Sequence, residues 1–246
     1  MGKKKEWFDE WFNTTYYHLL YRNRDDSEAQ FFMDNLIRFL EVTDQQLIMD
    51  LACGKGRHSI YLNNKGLKVE GLDLSEANIT YARQFANERL TFTQHDMRLT
   101  YKEEAFDYVF NMFTSFGYFE TTIEDIKAIQ CTAQNLKKGG ILVMDYFNTY
   151  KVINSLPKKE DIQRDHITFM IHKFLKDQFV FKEIAFNDDG RDYIFTERVK
   201  AMTEKDFQHC FEKANLKVIH TFGDYALNPF DKNNSDRMIF IVQKES

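Results

Sequence analysis

Residues 50–59 read DLACGKGRHS and place two glycines directly after the apolar run QLIM. Gly54 and Gly56 permit a sharp backbone turn and let a ligand approach without a Cβ in the way. A complete dinucleotide-binding fingerprint has a third glycine at position 59, where this chain has Ser59. Asp50 stands four residues before Gly54, close to the place where a dinucleotide-binding turn holds a phosphate. A carboxylate at this place disfavours a phosphate and favours a cation. We therefore expect the turn to bind a ligand that carries positive charge.

Two further carboxylates follow the next two apolar runs. Asp73 ends KVEGLD and Asp96 ends LTFTQHD. Parallel strands end at one edge of an open α/β sheet, and such sheets bind their ligands at that edge. Asp73 is placed to accept hydrogen bonds from ribose hydroxyls, and Asp96 from an adenine amino group. With Asp50 they form a predicted row of three carboxylates.

The elements that must position this row alternate between apolar runs and amphipathic stretches, as in a doubly wound α/β sheet. Ser75 should cap a helix through about Glu88, and a helix opened by Thr122 should run to Lys138 and stop at Gly139. Residues 4–41 read as an aromatic-rich helical region. The predicted strands are QLIMDLA, KVEGLDL, LTFTQHD, FDYVFNMF and ILVMDYF.

The last hundred residues are rich in aromatic and β-branched side chains. DHITFMIHKFLK, QFVFKEIAFN and RDYIFTERVKAM predict an antiparallel insertion of about three strands, with a turn at DDG, and PKKEDIQRD reads as a surface loop. Thr203 and Asp206 should cap a helix, and LKVIHTF and RMIFIVQK should be the closing strands. The stripe Trp7, Phe8, Trp11 and Phe12 has helical spacing and reads as core.

Five stretches resemble the class I S-adenosylmethionine-dependent methyltransferases, in that family's order and spacing. They are IMDLACGKGRHS, VEGLDLS, FTQHDMR, FDYVFNMFTSFGYF and LKKGGILVMDYFN. NMFTSFGYF and the ending FGDYALNPFDKNNSDRMIFIVQK are similar to a bacterial branch of small-molecule N-methyltransferases, such as those that act on amino sugars. Lys55 departs from the resemblance, because many relatives carry Thr or Ser between the two glycines.

The resemblance implies an α/β, Rossmann-like, doubly wound sheet of seven strands in the order 3-2-1-4-5-7-6, with strand 7 antiparallel. We expect one methyltransferase domain over residues 1–246: an N-terminal helical cap at 1–41, a cofactor-binding core at 42–148, an antiparallel β insertion at 149–202 and closing elements at 203–246. The insertion would form a lid or a homodimer interface. The implied cofactor is S-adenosylmethionine, and the product S-adenosylhomocysteine.

The implied site extends beyond the carboxylates. The further residues expected at the cofactor are Ala52, Cys53, Leu74, Met97, Asn111, Met112, Phe113, Tyr17 and Arg22. Those expected in the acceptor pocket are Phe116, Tyr118, Tyr146 and Asn148. Phe116 and Tyr118 could equally pack beneath the N-terminal helix. Candidates for a catalytic group are Tyr118, Tyr146 and His166, although the sequence places none of them within reach of an acceptor.

Composition narrows the partners. The 33 Lys and Arg against 38 Asp and Glu give a formal charge of -5, which would repel a phosphate backbone and makes nucleic acid an unfavourable partner. Cys53, Cys131 and Cys210 are far apart, which argues against a disulfide framework or a zinc site and fits a reducing cytoplasm. No signal peptide or membrane span is expected.

We therefore predict methyl transfer to an amine or hydroxyl of a small molecule. The alternative is a module that binds the cofactor or a related nucleoside without turnover. A nicotinamide-linked oxidoreductase fits less well, because Ser59 breaks the fingerprint and Asp50 stands where a phosphate would bind.

Overall fold

A computed structural model describes Trp11, residues 14–22 and residues 26–245 of the 246-residue chain. The chain divides into two compact units. The described residues of 26–151 and 202–246 form the core unit, and the described residues of 1–25 and 152–201 form the insertion unit. Among the described residues, the model contains no helix that has both the length and the hydropathy of a membrane span.

The core unit contains a seven-stranded sheet that confirms the predicted topology. Its strands are β1 (Leu47–Leu51), β2 (Lys68–Asp73), β3 (Leu90–Gln94), β4 (Phe106–Asn111), β5 (Leu136–Phe147), β10 (Leu216–Phe222) and β11 (Arg237–Lys244). Their order is β10-β11-β5-β4-β1-β2-β3, and β11 pairs antiparallel with β5 and β10. The other pairs are parallel. When only the seven strands of this sheet are numbered along the chain, their order is 3-2-1-4-5-7-6.

Helices connect the strands and cover the sheet. Those of the core unit are α2 (Asp26–Phe39), α3 (Arg57–Asn64), α4 (Glu76–Ala82), α5 (Thr122–Asn135) and α7 (Glu204–Glu212), while α6 (Thr149–Asn154) includes the position where the chain passes from the core unit to the insertion unit. Ser75 caps α4, as predicted, and Thr203 forms a capping box with Asp206 on α7. Side chains of β1 and β4 such as Ile48 and Val109 are fully buried, as expected for a sheet covered on both faces.

Two predicted helix ends were wrong. Helix α4 stops at Ala82 and a single 3-10 turn follows at Arg83–Phe85, well before the predicted end at Glu88. After the 3-10 turn Ala86 is extended and Asn87 pairs with Leu90 in a β-bridge, so the chain has already left the helix before Glu88. Helix α5 begins at Thr122 but ends at Asn135, because the chain joins strand β5 at Leu136 instead of continuing as a helix to Lys138.

The insertion unit contains one antiparallel sheet of four strands, one more than predicted. The strands β6 (Lys158–Arg164), β7 (Ile167–Lys176), β8 (Phe179–Asp188) and β9 (Arg191–Lys200) pair in chain order. The segment PKKEDIQRD was wrongly predicted to be a loop. Its charged residues lie on an edge strand, where they do not prevent pairing with β7. The predicted DDG turn joins β8 to β9, with Asp189 and Gly190 both at positive φ.

Helix α1 (Thr15–Leu20) belongs to the insertion unit. Trp11 and Leu20 are buried with Phe169, Ile184 and Phe186 of the sheet. Trp11 is therefore a core residue, as predicted from the aromatic stripe. The other members of that stripe, Trp7, Phe8 and Phe12, lie outside the described residues.

Candidate cofactor site at the ends of the core strands

The glycine turn follows β1 and has the backbone geometry that its sequence predicts. Gly54 has φ 56° and Gly56 has φ 81°, both in the left-handed region. A Cβ on Gly56 would lie 2.6 Å from the ring of Phe92, so a close approach also requires this glycine. A Cβ on Gly54 would meet no described atom within 4 Å. Gly54 thus borders open space at the edge of the sheet, where a ligand can approach the backbone.

Asp50 is buried beneath this turn and receives a hydrogen bond from Ser59. The Ser59 hydroxyl donates to Asp50 Oδ2 at 2.5 Å, and both residues are almost completely buried. Burial raises the pKa of Asp50 to about 6, although the hydrogen bond from Ser59 opposes the shift. A buried carboxylate with this environment gains from a nearby cation. Ser59, which breaks the dinucleotide fingerprint, therefore serves as the partner of Asp50.

Asp73 ends β2, and its carboxylate accepts hydrogen bonds from the backbone of the glycine turn and of the turn that follows β2. Its Oδ2 accepts a hydrogen bond from Gly54 N, and its Oδ1 accepts one from Ser75 N, both at 2.8 Å. Burial raises the pKa of Asp73 in spite of these backbone hydrogen bonds. Each carboxylate oxygen has two lone pairs, so Asp73 retains capacity to accept bonds from a ligand. Leu74, the next residue, is half-buried.

Asp96 follows β3 and is paired with an arginine two residues later. Arg98 binds both carboxylate oxygens of Asp96, at 2.7 Å for the shortest contact, and also contacts Glu124 of α5 at 3.1 Å. Burial alone would raise the pKa of Asp96, but the hydrogen bonds from Arg98 bring it below its ordinary value. Asp96 is therefore ionised at neutral pH. Met97, between them, is half-buried.

Asn111 ends β4 beside the end of β1. Its Nδ2 donates to Leu51 O at 3.2 Å, and its Oδ1 has no hydrogen-bond partner among the described residues. A buried acceptor without a partner is unusual and indicates that a ligand donor can complete the site. Three more predicted cofactor residues surround this edge: Cys53 and Met112 are buried, and Ala52 has φ 65°.

Phe113 presents an aromatic ring next to the glycine turn. Its ring stacks on His58 of α3 with centroids 4.5 Å apart, and it also contacts Tyr225 and Phe32. Phe113 is half-buried and has φ 57°, which is uncommon for an aromatic residue. The structure therefore brings Phe113 to the same edge as the predicted carboxylates.

The residues predicted for the acceptor pocket lie in different surroundings. Phe116 is buried against Phe119 and Phe207, and the Tyr146 ring is fully buried. Asn148 is also buried, and its amide donates to Lys232 O and Ser235 O. Phe116 therefore packs against α7, and its place in the acceptor pocket stays a prediction.

Tyr118 is the member of the predicted pocket that keeps partial exposure. Its hydroxyl donates to Thr114 O at 2.9 Å. Burial raises the pKa of Tyr146 well above its ordinary value, so that phenol keeps its proton at neutral pH. Tyr118 is thus better placed than Tyr146 to meet a ligand.

Three predicted residues belong to the insertion unit. The ring of Tyr17 packs edge-on against Trp11, and Arg22 forms a two-pronged ion pair with Asp165. His166 is mostly exposed and contacts Asp188 Oδ1 at 2.8 Å. Their contribution to the cofactor site stays a prediction.

Comparison with known protein families agrees with this geometry. A family model described as a methyltransferase domain matches residues 48–140, which span β1 to the early part of β5. Residues 48–140 are thus similar to known methyltransferase domains. The resemblance predicted from the sequence is thereby confirmed.

Two curated proteins are similar in sequence to this chain. YqeM of Bacillus subtilis, whose name marks it as a candidate methyltransferase, is 27% identical over 207 residues, which cover 80% of this chain and 83% of YqeM. The dTDP-3-amino-3,4,6-trideoxy-alpha-D-glucopyranose N,N-dimethyltransferase of Streptomyces venezuelae is 36% identical over 98 residues, which cover 40% of this chain and 41% of that enzyme.

One solved structure extends the likeness to the whole fold. CalS10 of Micromonospora echinaspora, an amino pentose methyltransferase with bound S-adenosylmethionine, superimposes with a TM-score of 0.71 at 19% identity. The match covers 94% of this chain and 97% of CalS10. The predicted fold class agrees with this comparison.

Several residues at the carboxyl ends of the core strands were not found from the sequence. Ser59, Arg98, Asp145 and Arg237 were not assigned to the site. Ser59 could have been found, because a hydroxyl in the first turn of α3 can reach a carboxylate at the end of β1. Arg237 lies 92 positions from its partner Asp145, and no sequence signal joins them.

Proposed function

We propose that this chain is an S-adenosylmethionine-dependent methyltransferase that methylates an amine or hydroxyl of a small-molecule acceptor. The observation that carries the proposal is the row of Asp50, Asp73 and Asp96 at three adjacent strand ends, beside the open space at Gly54. A carboxylate under the glycine turn suits a ligand with positive charge and no phosphate. The match of residues 48–140 to a family model described as a methyltransferase domain supports the same cofactor.

The side chains at this edge fit the functional groups of S-adenosylmethionine. We propose that Asp50 and Asn111 Oδ1 face its amino acid end, that Asp73 accepts hydrogen bonds from its ribose hydroxyls and that Asp96 accepts one from its adenine amino group. When bound, this cofactor supplies an electrophilic methyl group on a positively charged sulfur, with a neutral thioether as leaving group. Asp96 is already ionised at neutral pH, so a ligand can bind to this carboxylate without the release of a proton.

The protein's task in methyl transfer is alignment and exclusion of water, because the leaving group needs no activation. The bound cofactor would supply its methyl group to the acceptor's lone pair as its carbon–sulfur bond breaks, and a methylated amine would release its extra proton to solvent. Phe113 offers an aromatic face suited to a cation. Tyr118 is proposed to orient the acceptor, and Tyr146 to remain protonated because of its raised pKa.

An amine is the acceptor that we test first. The Streptomyces venezuelae relative acts on a nucleotide-linked amino sugar, and CalS10 is an amino pentose methyltransferase. Their chemistry supports an amino group on a sugar-like molecule. A hydroxyl acceptor requires a base to remove its proton at or before transfer, and the buried Tyr146 is unsuited to that role.

The first test is calorimetric titration of S-adenosylhomocysteine into the wild type and Asp73→Asn. We expect the wild type to bind and the variant to bind at least tenfold more weakly. Asp107→Asn is the matched control, because Asp107 lies at the start of β4, at the opposite edge of the sheet. Its affinity should stay within twofold of the wild type. Absence of binding to the folded wild type would refute the proposed cofactor.

Transfer is then measured with S-adenosylmethionine labelled on its methyl group and a panel of nucleotide-linked amino sugars and simpler amines. Label in the acceptor would support the proposed enzyme and exclude binding without turnover. Tight binding of the cofactor with no labelled product across amine and hydroxyl panels would favour the binding module instead.

A further inference from the structure

The loop that follows β4 contains two consecutive residues in the left-handed region of backbone space. Phe113 has φ 57° and Thr114 has φ 61°. An aromatic and a β-branched residue rarely adopt this conformation, and neither is a glycine or an asparagine. Such a turn persists when surrounding contacts hold it, and strained backbone of this kind clusters at functional sites.

A buried ion pair holds both residues of this turn. Asp145, fully buried on β5, accepts a hydrogen bond from Phe113 N at 2.7 Å, and its carbonyl accepts one from Thr114 N at 3.1 Å. Arg237, the first residue of β11, donates from Nε to the other oxygen of Asp145 at 2.7 Å. Its Nη2 donates to Thr114 Oγ1 at 3.0 Å. Arg237 therefore binds one turn residue directly and the other through Asp145.

The same turn determines where the Phe113 ring lies. That ring stacks on His58, the residue just before Ser59, and contacts Tyr225 at a centroid distance of 5.6 Å. The guanidinium of Arg237 lies over the other aromatic ring, 5.5 Å from the centroid of Tyr225. A substitution of Arg237 would therefore affect the position of the Phe113 ring both through the backbone of the turn and through Tyr225.

Within the proposed function, on which this inference rests, we propose that Arg237 is a positioning residue for the cofactor site. It holds the Phe113–Thr114 turn in its strained conformation and so keeps the aromatic face of Phe113 at the edge where the methyl donor binds. Arg237 acts through the turn and through Asp145, without a contact to the cofactor of its own. Its guanidinium is suited to this because one planar group donates in two directions.

The test compares S-adenosylhomocysteine affinity and thermal stability in wild type, Arg237→Gln and Arg237→Lys. Lysine can keep the ion pair with Asp145 but has no second planar arm for Thr114. We expect Arg237→Gln to weaken binding at least tenfold and Arg237→Lys to weaken it severalfold while keeping a melting temperature near the wild type. Lys137→Gln is the matched control, because Lys137 forms an ion pair with Asp107 at the opposite sheet edge, and its affinity should stay within twofold.

A second substitution separates positioning from a purely structural role. Asn adopts the left-handed region more readily than Thr. Adding Thr114→Asn to Arg237→Gln should therefore recover at least threefold of the lost affinity, which a general loss of stability would not allow. If Arg237→Gln fails to fold, Arg237→Lys with and without Thr114→Asn gives the same comparison.

Two results would overturn the inference. One is a folded Arg237→Gln that binds as tightly as a wild type that binds well, which would leave the proposed function intact. The other is a loss of affinity that Thr114→Asn does not restore. A wild type that fails to bind would instead overturn the proposed function itself, together with this inference.

Discussion

The buried carboxyl of Asp50 predicts how the free energy of unfolding changes with pH. Its carboxyl is 2% exposed, and burial raises its pKa from 3.8 to about 6. A shift of this size corresponds to about 3 kcal/mol between the two protonation states. Because the native state binds this proton more tightly than the unfolded state, the favourable contribution of the protonated group is fully present below about pH 4 and is lost as the pH rises through about 6.

We expect Asp50→Asn to remove this dependence. Asparagine keeps the shape of the side chain and an oxygen that can accept the hydrogen bond from Ser59. Between pH 4.5 and 7.5 the wild type should lose about 2 kcal/mol of unfolding free energy relative to the variant, from integrating the two pKa values. At pH 7.5 the free variant should therefore be more stable than the wild type, although its affinity for the cofactor should be lower.

Urea unfolding followed by circular dichroism at both pH values measures this difference, and comparison with the variant cancels groups that titrate in both proteins. Asp177→Asn, at an exposed position, should give a profile parallel to the wild type. The reasoning would be refuted if wild type and Asp50→Asn kept a constant difference in unfolding free energy from pH 4.5 to 7.5.

Two further predictions concern the glycine turn and the adenine side of the site. Gly56→Ala should destabilise the fold by about 2–4 kcal/mol, because its Cβ would meet the Phe92 ring and φ is positive. Gly54→Ala has no described neighbour within 4 Å, so it should destabilise the fold by only about 1–2 kcal/mol and yet weaken cofactor binding. Urea unfolding measures the loss of stability, and calorimetric titration measures the loss of affinity. Arg98→Ala should raise the pKa of Asp96, so that affinity for S-adenosylhomocysteine begins to fall at a higher pH than in the wild type. Titrations from pH 5 to 7.5 test this, and superimposable profiles would contradict it.

The positions of the core strands could be predicted because their determinants are local. Each predicted strand has apolar residues bounded by turn or cap residues, and the caps at Ser75 and Thr203 were predicted from neighbouring residues. Helix α5 begins at Thr122, as predicted, but its cap is Thr121, which was not predicted. The order of the sheet came from resemblance. The two helix ends and strand β6 were mispredicted, because pairing partners distant in sequence decided where those elements stopped or began.

The places of the three predicted carboxylates in the fold follow from their positions at strand ends, and their roles at the cofactor stay predictions. Asp50, Asp73 and Asp96 lie where the alternation of strands and helices indicated. The surroundings of Tyr146 and Asn148 could not be predicted, because burial depends on which loops and helices pack over a strand end. The cytoplasmic location, the bacterial origin and the homodimer stay predictions.

By itself the sequence determined the positions of the core-sheet strands, the glycine turn and the sign of the charge at the ligand edge, because spacing and residue type act over a few neighbouring residues. Tertiary structure alone decided how those charges behave. Burial and the hydroxyl of Ser59 determine the proton affinity of Asp50, and Arg237 meets Asp145 across 92 positions of the chain. Desolvation and long-range pairing depend on the completed packing of the sheet, which no local pattern encodes.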